Sequence, residues 1–151
     1  MTDAETRSSP ADPAATADFC ATQVRSYDHD RYLTVLFAPD SRRAALFALY
    51  AFNIEIAKIR ETVSEPTLGL IRLQWWRETL DGLFDARPSH HAVALALAEA
   101  ISRFGLTRRH FEHLVDGRAR DFEDAPPEDL AALESYADAT SGALTRLALE
   151  V

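Results

Sequence analysis

The sequence predicts an all-α protein, and three observations carry that prediction. Apolar residues recur at helical spacing, most cleanly as Ala45, Leu49, Phe52, Ile56, Ile59 and Val63, an alternation of threes and fours that keeps one helix face apolar. Glycine is scarce, at 5 residues, and no Asn-Gly turn between alternating residues marks a hairpin. The breaks between apolar runs fall at Pro39, Pro66, Gly105 and the stretch "DAPPED", which read as helix boundaries.

Taken in order, residues 1–13 are rich in Ala, Ser, Pro and Asp and read as a disordered tail. Residues 14–151 then form one helical domain, a length that can bury a real core. A first helix is predicted over 15–27, and "DHDRYLTVLF" as a short second piece ended by Pro39. Asp40 or Ser41 is expected to cap the next helix, whose second apolar strip of Phe47, Tyr50 and Ile54 makes it core on most sides. Pro66 suits the first turn of a fourth helix, with Ser64 or Glu65 capping and Gly69, Leu73, Trp76, Leu80 and Leu83 inward. Residues 90–104 follow, with Val93, Leu97, Ile101 and Phe104 inward and Gly105 as a stop. Thr107 opens a helix that turns Phe111, Leu114, Val115, Arg118 and Phe122 to the core. The last helix starts near Glu128, carries Leu130, Leu133, Tyr136, Thr140 and Leu147, and is still helical in character at Val151. The chain is therefore expected to be an incomplete architecture.

Charge excludes one class of partner. Lys and Arg number 16 against 24 Asp and Glu, a balance of 16 − 24 = −8, whereas nucleic-acid phosphates are held by concentrated Lys and Arg. Cys20 is the single cysteine, so no internal disulfide forms, which fits a reducing compartment. The N-terminal "MTDAETRSSPADPAATAD" has no apolar core and does not read as a signal peptide. No segment approaches the roughly 18–20 apolar residues of a membrane span. The expectation is a cytoplasmic protein, at most peripheral to the inner membrane.

Candidate chemistry centres on "ALYAFNIEIAKIRETVSEP". Mg²⁺ bound to a diphosphate needs hard carboxylate oxygens, commonly two at i and i+4 on one helix face. Glu61 has Ala57 one turn earlier, with Lys58 beside it. Glu55, Lys58 and Glu61 are spaced by threes and read as a surface ion-pair ladder rather than a metal site. Asp81 and Asp85 have the right spacing but lie at a helix C-terminus, where the dipole disfavours negative charge; a solvated end is expected, with a metal site as the alternative. His110 and His113 lack the third ligand that zinc requires and read as exposed, and His90 and His91 as a helix start. Arg118 falls on an apolar face three residues before Asp121; buried, it needs a carboxylate or an anionic ligand, and otherwise it snorkels outward. Tyr32, Tyr50 and the Trp75–Trp76 pair either pack plainly or line a cavity for an apolar ligand.

Three segments together resemble the N-terminal half of the squalene/phytoene synthase family, from about Tyr27 to Val151. They are "RRAALFALYAF", "LVDGRARDF" and "YADATSGALT". The resemblance implies an isoprenoid-synthase-like helical bundle of which this chain is about half. It places Arg43, Tyr50, Gly117, Asp121, Tyr136 and Gly142 on family positions, with Thr145 replacing a second glycine. It assigns Arg43, Tyr50, Glu61 and Asp121 to the substrate pocket. Active members hold Mg²⁺ through two Asp-rich motifs. The first has aspartates at the positions of Ala57 and Glu61, and usually at Lys58, so here only Glu61 keeps a carboxylate. A basic residue before the motif is replaced by Ile54, and the second motif would fall beyond Val151.

The block "YAFNIEIAKIRETVSEPTLGLIRLQWWRETL" is most similar to the branch that includes the mitochondrial complex I assembly factor and its bacterial relatives. That likeness implies a catalytically degenerate protein that works by binding. Its implied partners are a lipid or prenyl ligand and a protein in respiratory complex assembly, with no cofactor. The alternative is a prenyl transferase that condenses two prenyl diphosphates head-to-head, with Mg²⁺ as cofactor. A third reading is a fragment with no independent function.

Overall fold

A computed structural model describes residues 13–87, 89–123 and 125–151 of the chain; the expected tail over residues 1–13 lies outside them apart from the backbone of Pro13. Every regular element among the described residues is helical, without a strand. The helices are α1 (Pro13–Tyr27), α2 (His29–Val35), α3 (Asp40–Thr62), α4 (Pro66–Phe84), α5 (Ala92–Phe104), α6 (Arg108–Ala119), α7 (Leu130–Ala137) and α8 (Ala143–Glu150). A 3₁₀ turn at Arg120–Phe122 ends α6, and a π turn at Asp138–Gly142 joins α7 to α8.

Helix α3 is the axis of the fold, with α1, α4, α5 and α8 packed around it. Its two apolar strips explain this: Ala45, Leu49, Phe52, Ile56 and Ile59 are buried on one side, and Phe47 and Ile54 on the other. Phe52 is fully buried between the rings of Trp76 at 5.0 Å and Phe111 at 5.7 Å. These offset and edge contacts add specific attraction to plain area burial. On α4 the inward residues are Gly69, Leu73, Trp76, Leu80 and Leu83, all buried, as their spacing predicts.

Helix boundaries follow local chemistry, with some departures from expectation. Asp28 caps α2 by accepting from the Arg31 backbone N–H at 3.2 Å. Neither Asp40 nor Ser41 caps α3; Pro39 occupies the cap position and makes no side-chain cap bond. Asp40 instead sits in the first turn and pairs with Arg43 at 2.7 Å, where a carboxylate also suits the positive end of the helix dipole. Glu65 holds the cap position of α4 with no side-chain bond, and Pro66 fills the first helical position. Thr107 likewise precedes α6 without a side-chain cap bond; Glu150 supplies one from the other end of the chain, accepting from the Thr107 backbone N–H at 2.8 Å. Gly105 ends α5 at φ +65°, a left-handed conformation that glycine adopts without a Cβ penalty.

The final helical stretch departs most. Asp129 caps α7, accepting from the Ala132 N–H at 2.7 Å, so the helix starts at Leu130. Leu130 and Leu133 are exposed rather than inward, and no residue of α7 is buried. The π turn accounts for the change. An extra residue per turn rotates every later side chain by about 100°; Thr140 within the turn is buried, and beyond it so are Ala143, Leu144 and Leu147. Gly117 on α6 permits the close approach: a Cβ there would lie 3.0 Å from both Ala139 Cβ and Thr140 Cγ2.

Candidate functional site

The segment of α3 singled out by sequence opens onto a cleft of about 360 Å³ between α1, α3 and α4. Helix α3 contributes Ile54, Glu55, Lys58, Ile59 and Thr62, α4 contributes Arg72, Trp75 and Trp76, and α1 adds Gln23. The expected ladder of Glu55, Lys58 and Glu61 does not form. The Lys58 ammonium lies over the Tyr27 ring instead, because α1 packs along α3 and ends there; a cation over an aromatic face is held by the ring quadrupole. Glu61 is exposed and Ala57 is half-buried. Across the cleft, Arg72 Nη1 donates to Thr62 Oγ1 at 2.9 Å, and Thr62 Oγ1 donates to the Ile59 carbonyl at 3.2 Å.

Aromatic residues close one end. Trp75 and Trp76 meet edge-on at 5.0 Å, and the His91 ring stands against both, at 5.4 Å and 5.2 Å. His91 does precede α5, as a helix start, yet it also packs within this cluster and its Nδ1 is buried without a partner. Cys20 is fully buried on α1. Burial, reinforced by the nearby Glu55 carboxylate, pushes its thiol up to about 12.

A second constellation lies at the end of α6. Arg118 Nη1 pairs with Asp121 Oδ2 at 3.4 Å and donates to Tyr136 Oη at 3.2 Å, while Tyr136 Oη donates to Asp121 Oδ1 at 2.6 Å. Arg118 thus meets the carboxylate its burial requires, although its Nε has no partner. Arg60 on α3 donates from Nε to the Asp121 carbonyl at 3.1 Å. Burial first, then the bond to Asp121, raises the Tyr136 phenol above its usual range. Asp121 and Tyr136 face a neighbouring cleft of about 640 Å³ that includes Pro126, Pro127 and Leu133.

The residues assigned to one pocket therefore occupy separate settings. Asp121 belongs to the Arg118–Tyr136 cluster. Tyr50 lines a groove with Arg31 and Leu144, with the Arg31 guanidinium 5.5 Å over its ring, and burial raises its phenol. Arg43 donates from Nε to the Ala38 carbonyl at 2.9 Å and from Nη2 to the Leu36 carbonyl at 2.8 Å, which ties the α2–α3 loop. Glu61 points to solvent. Gln23, Thr62 and Arg72 are the cleft residues that sequence reasoning missed, and Arg72 is the charged one among them. Its position one residue before Leu73, beside the inward stripe, was the available signal.

Other charged candidates are paired. Asp81 meets Arg108 at 2.5 Å, and Asp85 meets Arg87 at 3.3 Å, so the α4 terminus is an ion-pair region. His110 is half-buried rather than exposed and lies 3.6 Å from the Glu150 carboxylate; His113 is also half-buried.

With fold and site in place, comparison with known proteins gives the family. The squalene/phytoene synthase family model matches residues 24–151, and the chain belongs to that family. It is 37% identical over 138 residues to NADH dehydrogenase (ubiquinone) complex I, assembly factor 6 of Bos taurus, covering 91% of this chain and 41% of that protein. It is 28% identical over 142 residues to presqualene diphosphate synthase of Sinorhizobium fredii, covering 93% of this chain and 49% of the synthase. A crystal structure of a dehydrosqualene synthase in complex with ligand superimposes with a TM-score of 0.81 at 19% identity. That match covers 92% of this chain and 49% of the synthase and shows the shared fold. The chain thus spans about half the length of these proteins or less.

A Mg²⁺–diphosphate clamp does not fit the residues of α3. Of the two α3 positions one turn apart, 57 carries a methyl group and 61 an exposed carboxylate, and the Lys58 ammonium beside Ala57 opposes a divalent cation. Among the described residues, no three His, Cys, Asp or Glu side chains converge as a metal site.

Proposed function

We propose that this protein works by binding, in a role of the complex I assembly type, and does not transfer prenyl groups. One observation carries the reading: α3 carries the methyl group of Ala57 and, in the cleft, the cation Lys58, at positions where metal-assisted ionisation of a diphosphate relies on carboxylates. The higher identity to the assembly factors, 37% for the bovine protein against 28% for the Sinorhizobium synthase, supports it. Among the described residues no helix is long and apolar enough to cross a membrane, and the location we propose for such a role is peripheral to the inner membrane. The test is deletion of the gene in its own organism. Loss of assembled NADH dehydrogenase with unchanged squalene and phytoene is the expected result. Normal NADH dehydrogenase with depleted squalene or phytoene would establish the prenyl transferase alternative instead.

A further inference from the structure

Of the α-helices among the described residues, α7 alone buries no side chain. Leu130, Leu133 and Ala137 recur on it at i, i+3 and i+7, the spacing of an apolar helix stripe. All three are nevertheless exposed, Leu130 at 68% and Leu133 at 49%. Beside the stripe lies the cleft of about 640 Å³, walled by Pro126, Pro127, Ala132, Leu133 and Tyr136. An apolar surface that continues into a cleft and carries a polar rim is the form of a protein-interaction site. The rim here is acidic. Asp121 is offset by Arg118, which leaves Glu123, Glu128, Asp129 and Glu134 against Arg120, or 1 − 4 = −3. Glu123, Glu128 and Glu134 are exposed and pair with no cation among the described residues. Residues 1–12 of this chain carry three carboxylates, one arginine and Met1 as the one large apolar side chain, so they do not complement the face. A second copy docked face to face would bring the same carboxylates together, and an anionic bilayer would meet them with like charge.

We propose that the α7 stripe and its cleft dock a basic amphipathic helix of a partner protein. The proposal rests on the binding role above and names the class of partner. A helix with leucines at i, i+3, i+4 and i+7 presents one apolar face to a groove, and two helices in such contact lie about 8–10 Å apart. That face covers Leu130, Leu133 and Ala137 and sends an anchoring side chain into the cleft beside Pro126 and Pro127. Lysines or arginines on its flanks reach Glu123 and Glu128 on the cleft side and Glu134 on the other. Glu134 lies about 100° around α7 from Leu133, away from Ala132 and Tyr136 that line the cleft. Each exposed ion pair is worth little alone, so apolar burial supplies the affinity, while charge supplies orientation and partner choice.

The probe is a fluorescent peptide of about 16 residues, roughly four helical turns, with Leu at i, i+3, i+4 and i+7 and Lys elsewhere. Titration with the full chain is expected to raise its anisotropy saturably. The same peptide with Glu for Lys, and one of equal composition with its leucines scattered around the helix, should each bind at least about tenfold more weakly. Glu123→Lys, Glu128→Lys and Glu134→Lys together should weaken the Lys peptide about tenfold and bring the Glu peptide to comparable affinity. Leu133→Ser should weaken the Lys peptide about tenfold and retain the helical circular dichroism. Glu65→Lys, Glu78→Lys and Glu99→Lys change net charge equally at exposed positions elsewhere and should leave binding within about twofold. Loss of binding in that second set, equal binding of the scattered peptide, or no saturable binding would overturn the proposal. So would concentration-dependent self-association, or binding to vesicles of phosphatidylcholine with phosphatidic acid, that Leu133→Ser abolishes, because a second copy or a membrane then occupies the face. A failed titration leaves the assembly reading to its own test. Normal NADH dehydrogenase after gene deletion removes that reading whatever the peptide does.

Discussion

The Tyr136 hydroxyl donates a 2.6 Å hydrogen bond to Asp121 Oδ1, joining the final helical stretch to the end of α6 across the "DAPPED" break. Arg118 pairs with the other oxygen of the same carboxylate, Oδ2, at 3.4 Å, so Asp121 is shared between a cation and a phenol donor.

Tyr136→Phe is therefore expected to lower stability at neutral pH by roughly 1 kcal/mol, the usual net worth of one such bond, and more if Asp121 is left short of a donor. The pH dependence has a definite sign. Burial and the bond to Asp121 raise the folded-state value of the phenol, so its contribution is complete below the unfolded value of about 10 and is lost as pH rises through the folded value. Urea denaturation of both proteins between pH 7 and 11 checks this. The gap between them should close at the alkaline end. Tyr50, also raised by burial, is common to both and cancels.

Cys20 offers a probe of opening. With its thiol at about 12 rather than the reference 9.0, the thiolate fraction at pH 8 falls about 1,000-fold, since each unit is tenfold. Reaction with an aromatic disulfide reagent should be slow in the native protein and limited by opening of α1 from α3. It should become fast in denaturant. Rapid stoichiometric labelling under native conditions would show that α1 does not pack as described.

Phe52 tests the core. Truncation to alanine is expected to cost about 3–5 kcal/mol through lost burial and a residual cavity between Trp76 and Phe111. Phe52→Asp should unfold the chain, because it buries an unpartnered charge in a protein whose whole stability is of order 5–15 kcal/mol. Loss of the cooperative thermal transition in circular dichroism is the readout, and Leu49→Asp should behave alike.

These core positions were legible because the helical period is a local property. Ala45, Leu49, Phe52, Ile56 and Ile59 declare a buried face whatever surrounds them. Gly105 and Pro66 mark helix ends for the same reason. What stayed hidden depends on chain reversal. Nothing in "AKIRET" says that Tyr27, 31 residues before Lys58, will claim its ammonium in place of Glu55 or Glu61. Arg118, Asp121 and Tyr136 were each visible, but their meeting requires the break at 123–129 to return the chain to α6. The exposure of Leu130 and Leu133 depends on a π turn that follows them, and no residue pattern before Asp138 announces it.

The last prediction concerns Ala57 and Lys58. A Mg²⁺–diphosphate complex brings cations to a face where α3 already holds the Lys58 ammonium. At an intermediate effective dielectric, repulsion at about 4 Å is on the order of a few kcal/mol per unit charge. Ala57 also supplies no ligand oxygen, and exposed Glu61 alone cannot hold the ion. Calorimetric titration with inorganic diphosphate and Mg²⁺ should therefore show no metal-dependent binding by the native sequence. Ala57→Asp combined with Lys58→Asp places carboxylates at 57, 58 and 61, two of them one turn apart on one face. That variant should gain Mg²⁺-dependent diphosphate binding, whether or not any turnover accompanies it. Mg²⁺-dependent diphosphate binding by the native sequence, abolished by chelator, would show that Lys58 leaves the metal face free and that the motif is not degenerate.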